Sequence, residues 1–267
     1  MRKLSDLSND DYHAHEAIGS SGIKDLLKSP AHFKHWKNYQ ASKTPALVLG
    51  SAIHSIVLEP DLFKRDYIKA PKFAGKGAMQ AKEEFMLENA QKIVLNPDQW
   101  DICFGIRESI LRHSKAEALL SDGEVEHSYF WADKASTIDC KCRPDYKRKN
   151  VLIDLKSTSD ASPDAFRHSI NRYGYHISAA FYLDGVNHFP DHLVEHFVII
   201  AVEKTPPYAI ALYTLDEATI DVGRQQYRRA LEIYASCLEE DNWPDYPDEI
   251  LTMALPSYAF PQEEIYE

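Results

Sequence analysis

The chain has 267 residues, 44% hydrophobic and 27% charged, an ordinary globular composition at a length suiting one large domain or two small ones. A formal net charge of −11 excludes a generally basic nucleic-acid coat protein, although a local basic groove can coexist with an acidic body. Four cysteines (Cys103, Cys140, Cys142, Cys237) are too few and scattered for a disulfide framework, and an isolated C-x-C pair argues against a zinc or iron–sulfur site.

The opening "MRKLSDLSND" lacks the apolar core of a signal peptide. The longest apolar run, around 46–60, is too short to span a bilayer and carries His54 at its middle. The expectation is a cytoplasmic protein with no membrane association. Ser20 or Ser21 is a candidate N-cap for a short helix that stops near Pro30, with Ile23, Leu26 and Leu27 as its buried stripe. A second helix is expected over 46–58, where Ala, Leu, Val and Ile recur at helical spacing. "APKFAGKGA" (70–78) reads as a turn-rich, basic loop, and the pattern from Met79 to about Leu120 is helical apart from a break at Asn96-Pro97.

Then the period changes. "EVEHSYFWA" (124–132) and "STIDCKCRPDY" (136–146) alternate as strands do, and "KRKN" turns the chain into "VLIDLKST". Three consecutive antiparallel strands are expected, followed by one helix from Pro163 to Gly185. Two further strands surround Thr205-Pro206-Pro207, and "EATIDVGRQQYRRALEIYASCLEE" forms a last amphipathic helix. The order indicates one α/β (α+β) domain over 1–267: a mainly helical part over 1–120, a core over 121–240 and an extended arm over 241–267.

In "VLIDLKST", Val151, Ile153 and Leu155 share one face, and Leu152, Asp154 and Lys156 the other. The two charges therefore stand ~6–7 Å apart along the strand. Asp145 lies across the hairpin, and together Asp145 and Asp154 offer hard oxygen ligands suited to Mg²⁺ or Mn²⁺. Lys156 would then orient or help deprotonate a water and stabilise charge growing on phosphorus. A solvated hairpin with an i,i+2 ion pair is the other reading of the tripeptide. Glu126 alternates with Val125 and His127, as a further carboxylate ligand or a solvent-facing strand residue. His54 follows Gly50 by one helical turn, so a partner or substrate could approach there, and it reads as a metal ligand or a core histidine. Tyr175, Ser178 and Tyr182 lie on neighbouring helical turns, where Phe181 reads as core. Arg167, His168 and Arg172 add basic character nearby.

Pro144-Asp145, an eight-residue spacer and Asp154-Leu155-Lys156, set in a meander with a G-x-x-x-H helix upstream and a tyrosine-bearing helix downstream, resemble the PD-(D/E)xK nuclease superfamily. "SSGIKDLLKSPAHF", "LGSAIHSIVLEPDLF" and "YGYHISAAFYLDG" are similar to the RecE-type nuclease domain (exodeoxyribonuclease VIII), over about residues 20–238. The resemblance implies a restriction-endonuclease-like core, with a central mixed sheet flanked by helices. It implies a 5′→3′ exonuclease on linear double-stranded DNA ends, leaving 3′ single strands for recombination and repair, often from a phage or prophage. It also implies two Mg²⁺-type ions, no iron–sulfur cluster, a ring-shaped homo-oligomer, and a single-strand annealing protein (RecT-type) as partner.

Carried over, His54, Asp145 and Asp154 take metal-binding positions, Glu126 the acidic position of the first strand, Lys156 that of the catalytic lysine and Tyr182 that of the helix tyrosine. Ser178 stands where the family often has Gln, and its contact with the attacking water or DNA end would pass to a water or to His176. Lys72, Lys76, Arg167 and Arg172 would line a DNA channel. A PD-(D/E)xK endonuclease and a non-catalytic DNA-binding recombination scaffold are the rival readings.

Overall fold

The computed structural model describes residues 1–38, 44–190 and 193–255. In chain order, β1 (Arg2–Leu4) and α1 (Asn9–Ala14) lead into α2 (Ser20–Lys28), α3 (Pro30–Asn38), α4 (Pro45–Leu58) and α5 (Pro60–Asp66). β2 (Tyr67–Lys69), α6 (Ala78–Glu88), β3 (Ile93–Leu95), α7 (Pro97–Arg112) and α8 (Ser114–Leu119) complete the helical part. Five strands follow: β4 (Glu124–Val125), β5 (Ser128–Ala132), β6 (Asp139–Cys142), β7 (Tyr146–Arg148) and β8 (Val151–Thr158). The described elements end with α9 (Pro163–Arg172), α10 (Tyr175–Val186), β9 (His196–Glu203), β10 (Ile210–Thr214) and α11 (Glu217–Glu240).

Proline punctuates this order, opening α4, α5, α7 and α9 at the first turn, where its missing N–H costs nothing. Pro30 likewise ends one helix and begins another, α3, beyond the expected stop. Gly19, not Ser20 or Ser21, is the N-cap of α2. The expected single helix over 163–185 is two, because Gly174 adopts φ +62 between α9 and α10. The alternating stretch from 124 to 146 is four short strands rather than two, broken at Glu126 and at Arg143-Pro144-Asp145.

Those breaks move the chain between sheets. β5 and β6 pair with β1 in a three-stranded sheet, whereas β4 and β7 join a five-stranded sheet ordered β10-β9-β8-β7-β4. In that sheet β8 and β9 run parallel and the other pairs antiparallel, which makes it mixed. β2 and β3 pair separately in parallel.

The five-stranded sheet is buried on both faces, as the period-2 pattern of β8 requires. Leu152, Phe197 and Ile199 pack with Phe181, Tyr227 and Leu231 under α10 and α11. On the opposite face, Ile153, Leu155, Ile200 and Val202 pack with Ile53 and Ile56 of α4 and Ile106 and Ile110 of α7. Phe181 is core, 1% exposed. Beyond α11, Trp243 stacks on Phe33 and the Pro244 carbonyl accepts the Ala31 N–H, which ties the start of the C-terminal arm to α3. The rest of that arm, 256–267, lies outside the described residues. No described helix is long and apolar enough to cross a membrane.

Candidate active site

Asp154 stands in the middle of β8, 6% exposed, on the face that carries Leu152 into the core beneath α10. Lys156, two residues on, places Nζ 2.5 Å from Asp154 Oδ2 and 5.5 Å from the centre of the Tyr175 ring at the start of α10. Tyr146 pairs with Ile153, so continuing that register puts Asp145 opposite Asp154. Asp145 sits just before β7, where the chain changes sheets, and its Oδ2 accepts the Leu155 N–H at 2.7 Å. His54 reaches the same oxygen from α4, with Nδ1 3.5 Å away. Gly50, one turn before His54, faces open space.

Glu126 is not an alternating strand residue. It occupies left-handed backbone at φ +47 between β4 and β5, and its N–H donates to the Asp145 carbonyl at 3.1 Å. That bend turns it toward the cluster, where Arg143 lies 3.9 Å from its carboxylate.

The electrostatics follow from crowding acids in a desolvated place. Burial pushes the Asp154 carboxyl up and the Asp145 charge pushes it further, against the pull of Lys156. Burial would also raise Asp145, but His54, Lys156 and the Leu155 N–H together hold it at about 2. Burial, followed by the charges of Asp145 and Glu59, raises Glu126 to about 7. Lys156 would be lowered by burial, yet Asp154 and Asp145 raise it well above an ordinary lysine. In the metal-free site it is therefore held as a cation beside Asp154. His54 is likewise lowered by burial but raised on balance by Asp145.

A family model described as the PDDEXK-like domain of unknown function (DUF3799) matches residues 19–254. The chain belongs to that family. Among solved structures, it is similar to a putative exonuclease from Eubacterium rectale, with 16% identity and a TM-score of 0.62 over 94% of this chain and 96% of the other. A phage-related exonuclease from Haemophilus somnus 129PT shares 15% identity at a TM-score of 0.37, over 85% of this chain and 97% of the other. An alkaline exonuclease from Laribacter hongkongensis shares 8% identity at a TM-score of 0.31, over 84% and 92%. No curated protein matches the chain. The PDDEXK-like domain and the mixed sheet flanked by helices give this DUF3799 member the PD-(D/E)xK nuclease fold.

Three residues of the site were not singled out from the sequence. Glu59, at the end of α4, raises Glu126 and is itself pushed up by burial. Arg143 binds Ser128 Oγ at 2.8 Å, Asn9 Oδ1 at 2.7 Å and the Leu7 carbonyl at 2.9 Å, pinning the N-terminal segment beside Glu126. Its signal was present: in "CKCRPD" Lys141 and Arg143 alternate with cysteines, the same anomaly that exposed Asp154 and Lys156. Lys24, the third, comes from α2 and donates to Ser178 Oγ at 3.3 Å. A cavity of about 770 Å³ adjoins the cluster, lined by residues 5–10 with Gly50, His54, Glu59, Glu126 and Arg143. Asp145, Asp154 and Lys156 lie behind that lining.

The other expected residues are placed differently. Tyr182 lies on α10, and its hydroxyl accepts from Ser20 Oγ at 3.4 Å. His176 does not stand in for the missing Gln, because it is held between the Ile170 carbonyl at 3.3 Å and Gln226 at 2.8 Å. Arg167 pairs with Asp164 on the surface, and Arg172 lies over the Tyr173 ring. Lys72 and Lys76 are exposed on the loop between β2 and α6. Among the described residues, none of these four cations contacts the acidic cluster.

The donor set suits a hard divalent cation: two acids opposite one another, a third nearby, and two of the three raised by burial and by the charge of neighbouring acids. Among the described residues no three ligands yet converge on one point. Lys156 supplies compensating charge, as does His54 while protonated; as a metal ligand His54 would be the neutral imidazole.

Proposed function

We propose that this DUF3799 protein is a metal-dependent 5′→3′ exonuclease that degrades linear double-stranded DNA from its ends and leaves 3′ single strands for recombination by annealing. One observation carries the reading. Asp145 and Asp154 stand opposite one another at neighbouring strands, with Lys156 paired to Asp154 and His54 reaching Asp145 from α4. The cluster crowds acids together at a desolvation cost that a bound cation would offset, which supports a metal site there.

Asp145, Asp154, Glu126 and His54 would hold Mg²⁺, or Mn²⁺ in its place. Such an ion supplies Lewis acidity at the scissile phosphate. Lys156, its ammonium held by Asp154, donates to a phosphate oxygen and stabilises the charge that builds on phosphorus during hydrolysis. Asp154 orients that ammonium, and the Tyr175 ring limits its swing. Asp145 is kept ionised by His54 and by the Leu155 N–H, so a ligand-competent carboxylate persists at neutral pH. The 5′→3′ direction rests on the resemblance to RecE-type domains, as do a ring-shaped homo-oligomer and a RecT-type annealing partner. The likeness to a protein described as a putative exonuclease supports action at ends. Lys72, Lys76, Arg167 and Arg172 line the route of the duplex in this reading.

The test uses linear duplex labelled at the 5′ or the 3′ ends, with Mg²⁺ or EDTA, beside a closed circle. Metal-dependent release of the 5′ label with the circle spared is the expected result. A cut circle would replace this reading with an endonuclease, and intact DNA in every lane, with duplex still bound, with a scaffold.

A further inference from the structure

Helices α2 and α10 meet through two polar rungs spaced one turn apart on each helix. Ser20 donates to the Tyr182 hydroxyl at 3.4 Å, and Lys24 donates to Ser178 Oγ at 3.3 Å. Since 20 and 24 on one helix face 182 and 178 on the other, the helices run antiparallel and present one continuous polar seam.

The Lys24 end of that seam is built with care. Its stem passes the α9–α10 junction close to Gly174, where a Cβ would lie 2.9 Å from Lys24 Cδ and where φ +62 favours glycine. Its ammonium also donates to the Tyr173 carbonyl at 3.3 Å. Both partners are neutral. Among the described residues no carboxylate forms an ion pair with Lys24, which is half-buried between α2 and the α9–α10 junction. Burial and the nearby Lys156 charge lower its proton affinity, while Asp154 and the adjacent Asp25 oppose them. A half-buried ammonium with two neutral acceptors and one N–H to spare is poorly compensated. Lys156 lies against Tyr175 and Lys24 against Ser178, so the two cations flank the first turn of α10.

We propose that Lys24, held by Ser178 and admitted by Gly174, is a substrate-binding residue that contacts a phosphate of the strand being cut, next to the one Lys156 serves. The assignment rests on the nuclease reading and extends it. It also accounts for serine at position 178: a short hydroxyl leaves room for a lysine arriving from another helix, where a long amide would fill the space.

Lys24→Met keeps the stem and removes the charge, Lys24→Arg restores it, and Ser178→Ala removes the anchor. Duplex binding in EDTA, measured against KCl concentration, reads phosphate contacts directly. Losing one contact flattens the slope of log K against log[salt] by about 0.9. The expected result for Lys24→Met is that flattening, a KM raised by about tenfold and an unchanged melting temperature. Lys24→Arg should keep the wild-type slope, and Ser178→Ala should fall between. An unchanged slope and KM in Lys24→Met, from a protein whose wild type binds and cuts, overturns this assignment alone. A loss that tracks a lowered melting temperature makes Lys24 a structural strut and overturns it too. A wild type that neither binds nor cuts duplex overturns the nuclease reading and this one together.

Discussion

Two charged clusters lie on α10 and its neighbours, and they are assembled in opposite ways. At the far end of α10, Asp184 accepts from Arg224 through two nitrogens, at 2.8 and 3.0 Å, and from the Tyr227 hydroxyl at 2.5 Å. Nearby, Asp133 takes bonds from Ser136 and Ala135 and an ion pair from Arg228. Burial would raise Asp133, but the Ser136 bonds and Arg228 hold it below the usual carboxylate range. Each acid there has donors to match its lone pairs. At the near end Asp145, Asp154, Glu126 and Glu59 crowd one another in a buried place, and three of the four are raised despite His54, Lys156 and Arg143. Satisfied charge fastens α11 to α10, and in the proposed reading the raised acids are where a cation would bind.

The contrast should break first in activity. Asp154→Asn and Lys156→Met are each expected to lower DNA cleavage by about 10³-fold or more, because each removes charge that acts in the transition state. Asp154→Asn relieves a carboxylate raised by burial but takes the nearest charge from Lys156, so thermal melts accompany nucleotide release and the loss is read on folded protein. The opposite pattern is expected of Asp184→Ala, which strands Arg224 and Tyr227 and should cost about 2–4 kcal/mol in urea unfolding. Cleavage by that variant should persist below its lowered melting temperature.

Divalent ions sharpen the comparison. Mg²⁺ at a hundred times its dissociation constant should stabilise wild type by about 2.7 kcal/mol, and Asp184→Ala by the same increment. Asp154→Asn should show little of it in a thermal shift series.

The smallest effect concerns pH. Glu126, ordinarily titrating near 4.5, is raised to about 7 in the fold. The native state therefore keeps a proton that the unfolded chain has released. Stability from this group is full below about 4.5 and is lost as pH rises through 7. Metal-free Glu126→Gln should lack that decline and be more stable than wild type at pH 8, by on the order of 1–2 kcal/mol. A pH–melting series in EDTA measures it.

Asp145, Asp154 and Lys156 were legible because charge inside an apolar strand breaks a simple pattern, and His54 because it interrupts an apolar helix. The mixed sheet was legible in outline only. Alternation continues through Glu126 and through Arg143-Pro144-Asp145, so nothing local announced that the chain changes sheets there. One residue in left-handed backbone and one proline decided it, and the site sits at those two breaks. Gly174 hid a helix break in the same way. Lys24 was invisible for another reason: a lysine on an amphipathic helix is normally solvent-facing, and only the α2–α10 contact turns it inward. His176 misled because an enclosed histidine near a site resembles a functional one until its bonds to Ile170 and Gln226 are seen.

The most direct test takes wild type, Lys156→Met and Asp184→Ala, strips each with EDTA, mixes them with linear duplex and restores Mg²⁺. The account predicts rapid nucleotide release by wild type and by Asp184→Ala below its melting temperature, and none by Lys156→Met that melts as a folded protein. Equal release by folded Lys156→Met would contradict it, because the cation at the centre of the unsatisfied cluster would then have no part in the chemistry.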